Sequence, residues 1–155
     1  MSATEAAAKT FFSFPAFAVV GASSNPAKFG NTIFKWYHDH NLPTTPINPT
    51  SSTITLPSVS TPFPALPSID RLPAPTQTSL SIVTPPAATL AVLREAKSLG
   101  IPAVWLQPGS FNDEVVNFLK EGGFKAAVLG EGGAGNEGWC VLVDGERALK
   151  QAGKL

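Results

Sequence analysis

The stretch FAVVGASSNPAKFGN, residues 17–31, decides how this chain folds. Phe17 to Val20 is a short apolar run ending in two β-branched residues, which suits a buried strand. Gly21, Ala22, Ser23 and Ser24 are small and turn-forming. Asn25-Pro26 is a helix-start signal, with Asn as N-cap and Pro at the first helical position. The helix expected over Ala27 to His40 places Phe29, Ile33, Trp36 and Tyr37 on one stripe. Strand, tight turn and helix in that order open a doubly wound α/β fold. Its first turn lies at the carboxyl end of the first strand, where amide groups and a helix terminus attract phosphate.

Working outward, the same unit recurs. Strands are expected at Ala16–Val20, Thr44–Ile47, Leu80–Val83, Ala103–Leu106 and Ala126–Leu129. Helices are expected at Ala87–Leu99, with a core face of Ala88, Val92, Ala96 and Leu99 widened by Leu93, and at Asp113–Glu121, capped by Asn112. Phe111 and Val116 are placed for a hydrophobic staple, and Gly100 and Gly122-Gly123 stop the two helices. Trp139–Val143 reads as a further strand and Glu146 as the start of a last helix. Eleven of the fifteen prolines fall between Pro43 and Pro86, which excludes a long helix there. That region is expected to be loop, with an extended piece near Ile54–Leu56 and a helical turn near Pro64–Leu66. The order predicts a Rossmann-like, doubly wound, mainly parallel five-stranded sheet with helices on both faces. The division is an extension over residues 1–15, helical from Thr4 to Lys9, and one domain over 16–155. Phe11, Phe12 and Phe14 make the extension too apolar to be free; they are expected to dock on the domain, as a cap over one sheet edge, or on a partner.

Composition narrows the function. Eleven basic and eleven acidic residues balance, so no bulk attraction to nucleic acid or anionic membrane is expected. Charged residues make up only 14%, against the usual ~25%, which makes a homodimer or an unidentified protein partner plausible. One cysteine excludes an internal disulfide and a cysteine-rich zinc site. Cys140 reads as a buried residue, and His38 and His40 as helix-end residues without a third metal ligand. No run reaches the ~20 apolar residues of a membrane span, and the first residues make a poor targeting signal, so the cytoplasm is the expected compartment.

Four predicted strand ends carry small or uncharged turns: Gly21-Ala22-Ser23-Ser24, Asn48-Pro49, Val83-Thr84-Pro85-Pro86 and Gln107-Pro108-Gly109. Their convergence implies a small-molecule nucleotide ligand. The dinucleotide fingerprint G-x-G-x-x-G is absent from the first turn, and no acid occurs between Asp39 and Asp70 to hold a ribose. Gly130, Gly132 and Gly135 do match that pattern, but an expected strand follows, and Glu131 and Glu137 would repel an anion. They read as a lid-like loop.

The ordered set VVGASSNP, INP, VTPP and WLQPG, spread over Phe17 to Asp144, resembles the small stand-alone CoA-binding domain proteins. Their fold is similar to the amino-terminal CoA-binding domain of the succinyl-CoA synthetase alpha subunit. The resemblance implies that Gly21, Ala22, Ser23 and Ser24 hold the CoA phosphates, with Lys28 adding charge. It implies that Asn48 and Pro49 flank the adenosine. Val83, Thr84, Pro85 and Pro86 would line the nucleotide or the start of the pantetheine arm, and Gln107 and Gly109 would close the site. In one respect the chain departs from the family. A basic residue often follows the second-strand turn there, and Thr50, Ser51 and Ser52 stand here instead; Lys28 or Arg71 is the available substitute.

Three functions stay open at this level. The first is non-catalytic binding of coenzyme A or an acyl-CoA, as carrier, sensor or regulatory subunit. The second is an oxidoreductase-like protein that binds NAD(P), with Thr50, Ser51 and Ser52 accepting the extra phosphate of NADP. The third is a structural subunit with a vestigial nucleotide pocket. No catalytic set is suggested at the strand ends.

Overall fold

A computed structural model describes Met1–Leu155. Strand β1 (Ala16–Val20) is followed by helix α2 (Phe29–Asp39), after an opening helix α1 (Ala3–Phe12). Strand β2 (Thr44–Ile47) leads into a short antiparallel pair, β3 (Thr53–Ile54) and β4 (Phe63–Pro64), and then into two 3-10 turns at Ile69–Arg71 and Pro75–Gln77. The chain continues through β5 (Thr78–Ile82), α3 (Pro86–Leu99), β6 (Ala103–Leu106), α4 (Asp113–Lys120), β7 (Ala126–Val128) and α5 (Val141–Gln151).

The main sheet is five-stranded and parallel throughout, in the order β2-β1-β5-β6-β7. The direction of winding reverses between β1 and β5, so the crevice beyond their carboxyl ends is the switch point where such sheets bind ligands. Register fixes which turns meet. Val20 pairs with both Ile47 and Ile82, and Ile82 with Leu106, so four strands end in one row. The residues that follow that row are the four turns singled out in the sequence.

Alternate strand residues feed two cores. Phe17, Val19, Ala103, Trp105 and Val128 pack with α1, α2 and α5 on one face. Ala18, Val20, Leu80, Ile82, Val104 and Leu106 pack with α3 and α4 on the other. Because both faces are covered, β1 and β6 are apolar throughout, and in β5 even the polar Thr78, Ser79 and Ser81 are buried.

Several expectations need correction. Helix α2 begins at Phe29, not Ala27, because Asn25 Oδ1 accepts from Ala27 N at 2.9 Å and closes a turn of its own before the helix. Phe29 is 39% exposed, and Gly30 and Phe34 complete the buried stripe in its place. On α3 the buried line is Thr89, Leu93 and Ala96; Ala88 is exposed and Val92 half-buried, which turns that side of the helix toward a cavity. Pro64–Leu66 is not helical: Pro64 pairs with Thr53, and Leu66 bridges Ile47 in parallel.

The largest correction is at Trp139–Val143, which is the start of α5 rather than a strand. Val141, Gly145, Ala148 and Leu149 are buried at helical spacing, while Leu142 and Val143 are exposed. Asp144 decides the matter: its carboxylate accepts from Cys140 N at 3.0 Å and Ala134 N at 2.8 Å, satisfying the helix start and the loop before it. The opening segment is also more than an edge cap. Helix α1 lies on β6, β7 and α5, with Phe11 and Phe12 wholly buried, and Ser79 Oγ donates to Phe11 O at 2.7 Å. No helix is long and apolar enough to cross a membrane.

Candidate functional site

The first turn is held by glycine on two sides. Gly21 has φ +95, and a Cβ there would lie 2.8 Å from Val83 Cγ2, so only glycine lets this turn rest against the end of β5. Gly30, in the first turn of α2, would carry a Cβ 2.0 Å from Gly21 O. The helix therefore sits directly against the turn, which is the close approach that a late glycine serves in dinucleotide-binding turns. Gly30 was not picked out in the sequence. Its signal was a glycine inside a helix, which costs about 1 kcal/mol relative to alanine and so implies a packing reason.

The turn is then tied to its neighbours by side chains. Asn31, buried within α2, donates through Nδ2 to Ser23 O at 2.8 Å and Thr55 O at 3.1 Å. Ser24 Oγ accepts from Thr55 N at 3.0 Å, and Ser23 Oγ from Asn25 N at 3.1 Å. Asn48 Nδ2 donates to Ala22 O at 2.9 Å. Its Oδ1 collects Thr50 N at 2.8 Å, Ser51 N at 3.0 Å and the Thr50 hydroxyl at 3.1 Å. The first two turns are thus one hydrogen-bonded unit. The N–H groups of Ser23, Ser24, Phe29 and Gly30 donate to no atom of the chain. Lys28 stands at the N-cap of α2, exposed and outside the three ion pairs, and no acid occupies the first turn of that helix.

The other two turns differ in kind. Thr84 shares a 2.8 Å hydroxyl contact with Thr89, which also donates to Thr84 O at 3.1 Å; Pro85 and Pro86 open α3. Val83 and Thr84 are half-buried, and they press on Gly21. Gln107 is wholly buried. Its Nε2 donates to Ser81 Oγ at 3.2 Å and its Oε1 accepts from Val141 N at 3.1 Å, so the amide is consumed within the fold. Gly109, φ +90, is exposed with open space around it.

Three hollows surround these turns. An apolar cavity of about 220 Å³ lies at the switch point, between Gly21, Ile47, Pro49, Thr84, Ala88 and Val92; its one charged lining residue is Glu95. A hollow of about 280 Å³ beside it is rimmed by Asn48, Pro49, Thr50, Ser51 and Ser52. A third, of about 350 Å³, runs from Phe29 to Glu137, Cys140, Leu142 and Val143. The glycine-rich loop borders this third hollow. A helix does follow that loop, but its amides at Cys140 and Val141 are taken by Asp144 and Gln107. Burial pushes the Cys140 thiol above its ordinary value of 9.0; the Leu142 and Val143 amides oppose this, and Asp144 and Glu137 add to it. His40 is remote: it stacks on Trp36 and meets Glu146 at 3.0 Å, at the far end of α2. Arg71 is exposed and lines none of the three hollows.

The arrangement offers unspent amide donors and one cation at the first turn, with an apolar wall beside it. That combination suits a diphosphate joined to a flat apolar group. The family described as CoA binding domain matches residues 15–137. A conserved hypothetical protein from Pyrococcus furiosus is 30% identical, with a TM-score of 0.67 over 84% of this chain and 99% of that one. A hypothetical protein from Pyrococcus horikoshii OT3 has a TM-score of 0.73 at 22% identity, covering 94% of this chain and 92% of its own. A Thermus thermophilus protein has a TM-score of 0.71 at 24% identity, covering 96% and 99%. These last two speak for the fold alone. No functionally curated protein matches the sequence.

Proposed function

The chain belongs to the CoA-binding domain family, and from that premise we propose that it binds coenzyme A or an acyl-CoA without transforming it, as a carrier, sensor or regulatory subunit. The observation that carries this reading is the cluster of unpartnered amides at Ser23, Ser24, Phe29 and Gly30 beside Lys28. Backbone N–H groups at a helix start, with a lysine and no nearby acid, favour a diphosphate. The apolar cavity by Ala88 and Val92 takes the adenine face, and Asn48 and Pro49 border its ribose. Val83 to Pro86 form the adjoining wall. Gly109 leaves room for the pantetheine arm, and Gln107 acts from beneath by holding α5 in place. The hollow by Phe29 and Cys140 suits the far end of that arm.

Binding and catalysis part on the groups available. The hydroxyl of Ser24 is engaged as an acceptor from Thr55 N, and that of Thr84 is shared with Thr89. Neither has a histidine or carboxylate partner for activation. The test is calorimetric titration and thermal shift with CoA, acetyl-CoA, ADP, NAD and NADP, on the wild type and Lys28→Ala. The expected result is stabilisation by CoA and acetyl-CoA, with Lys28→Ala binding about fivefold more weakly, the loss of roughly 1 kcal/mol from one exposed charge at a helix start. A response to NADP with none to CoA would overturn the proposal.

A further inference from the structure

We infer that the adenosine end of this site selects an ADP-pantetheine whose ribose hydroxyls are both free, and discriminates against a phosphate on that ribose. The inference rests on the reading of the first turn as the diphosphate site and deepens it. In a doubly wound sheet the ribose lies beyond the end of the second strand. Here that place is the rim from Asn48 to Ser52, completed by Ala65 and Pro67. The rim holds no charge, and no charged residue occurs anywhere from 41 to 69.

Neutral donors at the rim are partly spent, and the hydroxyls of Ser51 and Ser52 that remain carry no charge to offset a phosphate dianion. The spent ones are Thr50 N, Ser51 N and the Thr50 hydroxyl, which all converge on Asn48 Oδ1. The neighbouring apolar cavity shares Pro49 and Pro67 with the rim, and its one charged lining residue is an acid, Glu95. A carboxylate accepts from a ribose hydroxyl or an exocyclic amine, and it repels a phosphate dianion. Lys28 stands at the start of α2, and neither it nor Arg71 lines either hollow. Lys28 therefore serves the diphosphate, and the ribose meets an uncharged rim with an acid, not a base, in the adjoining cavity.

Dephospho-CoA and CoA differ only in the ribose 3′-phosphate, so their ratio of dissociation constants reads this feature directly. Calorimetry on the wild-type chain should give dephospho-CoA a higher affinity than CoA, with the gap narrowing in high salt as repulsion is screened. Ser51→Lys, a change at an exposed rim position, should raise CoA affinity about tenfold relative to dephospho-CoA, as one charge-assisted hydrogen bond allows. Glu95→Gln should shift the ratio the same way by a smaller factor. A wild type that binds CoA as tightly as dephospho-CoA, or more tightly, overturns this inference and leaves the CoA-binding reading standing. A Ser51→Lys ratio equal to that of the wild type overturns it too. Binding of neither ligand removes the underlying reading and this inference together.

Discussion

Gly30→Ala sets two known effects against each other. Gly30 lies within α2 at an ordinary helical φ, so alanine there should help the helix by about 1 kcal/mol. The added Cβ, however, would lie 2.0 Å from Gly21 O, 3.0 Å from Gly21 C and 3.4 Å from Ala22 Cα. All three are backbone atoms, so no rotamer change relieves them. The helix must move about 1 Å from the turn, and forced overpacking of this kind costs typically 1–3 kcal/mol and at times more. At a contact this close we take the upper end, about 3 kcal/mol, which leaves a net destabilisation of about 2 kcal/mol. For a chain of this length that lowers Tm by roughly 4–8 °C. The same movement opens the turn that carries Ser23 and Ser24, so CoA should bind at least tenfold more weakly. Thr32→Ala, exposed on the same helix, gains propensity without the contact and should be neutral or slightly stabilising. Urea denaturation followed by circular dichroism, with calorimetric titration of CoA, reads both effects. A Gly30→Ala variant as stable as the wild type with unchanged CoA affinity would refute the argument that helix and turn are in forced contact.

Two further outcomes follow from buried groups. Gln107→Ala removes the acceptor of Val141 N and the donor to Ser81; two buried polar groups lose their partner, and urea denaturation should show a loss of about 2–4 kcal/mol. Burial raises the Cys140 pKa, so its contribution to stability is whole below pH 9.0 and is lost as the pH climbs through the higher folded-state value. The urea midpoint of the wild type should therefore fall more between pH 7 and pH 10 than that of Cys140→Ala. Tyr37, whose phenol burial also pushes above its ordinary 10.0, is common to both proteins and cancels. Equal falls in the two proteins would show that the thiol is not held in its neutral form by the fold.

The amino-acid sequence alone determined the layers and which turns stand together at the carboxyl edge of the sheet. Strand-sized apolar runs, each followed by a small-residue turn and then a helical stripe, allow one architecture, and β1, β2 and β6 occur at the expected residues. That inference is local: each run declares itself within a few residues, and the parallel order follows from the connections. What failed was decided by partners elsewhere in the chain. Trp139–Val143 is apolar enough for a strand, and it is a helix start because Asp144 and Gln107, the latter 34 residues before Val141, supply partners for its first amides. Pro64–Leu66 left its helical turn because Thr53 and Ile47 offered backbone pairing across the loop. Only the tertiary structure could show that Gly30 touches Gly21, that Asn31 and Asn48 bind the turns into one unit, and that Glu95 faces the same cavity as Pro49. Such partners are far apart in sequence, and side-chain pattern carries no record of distance. A single chain therefore announces which turns lie at the carboxyl edge of the sheet, whereas which of their polar atoms remain unpaired is settled only when the fold has used the others.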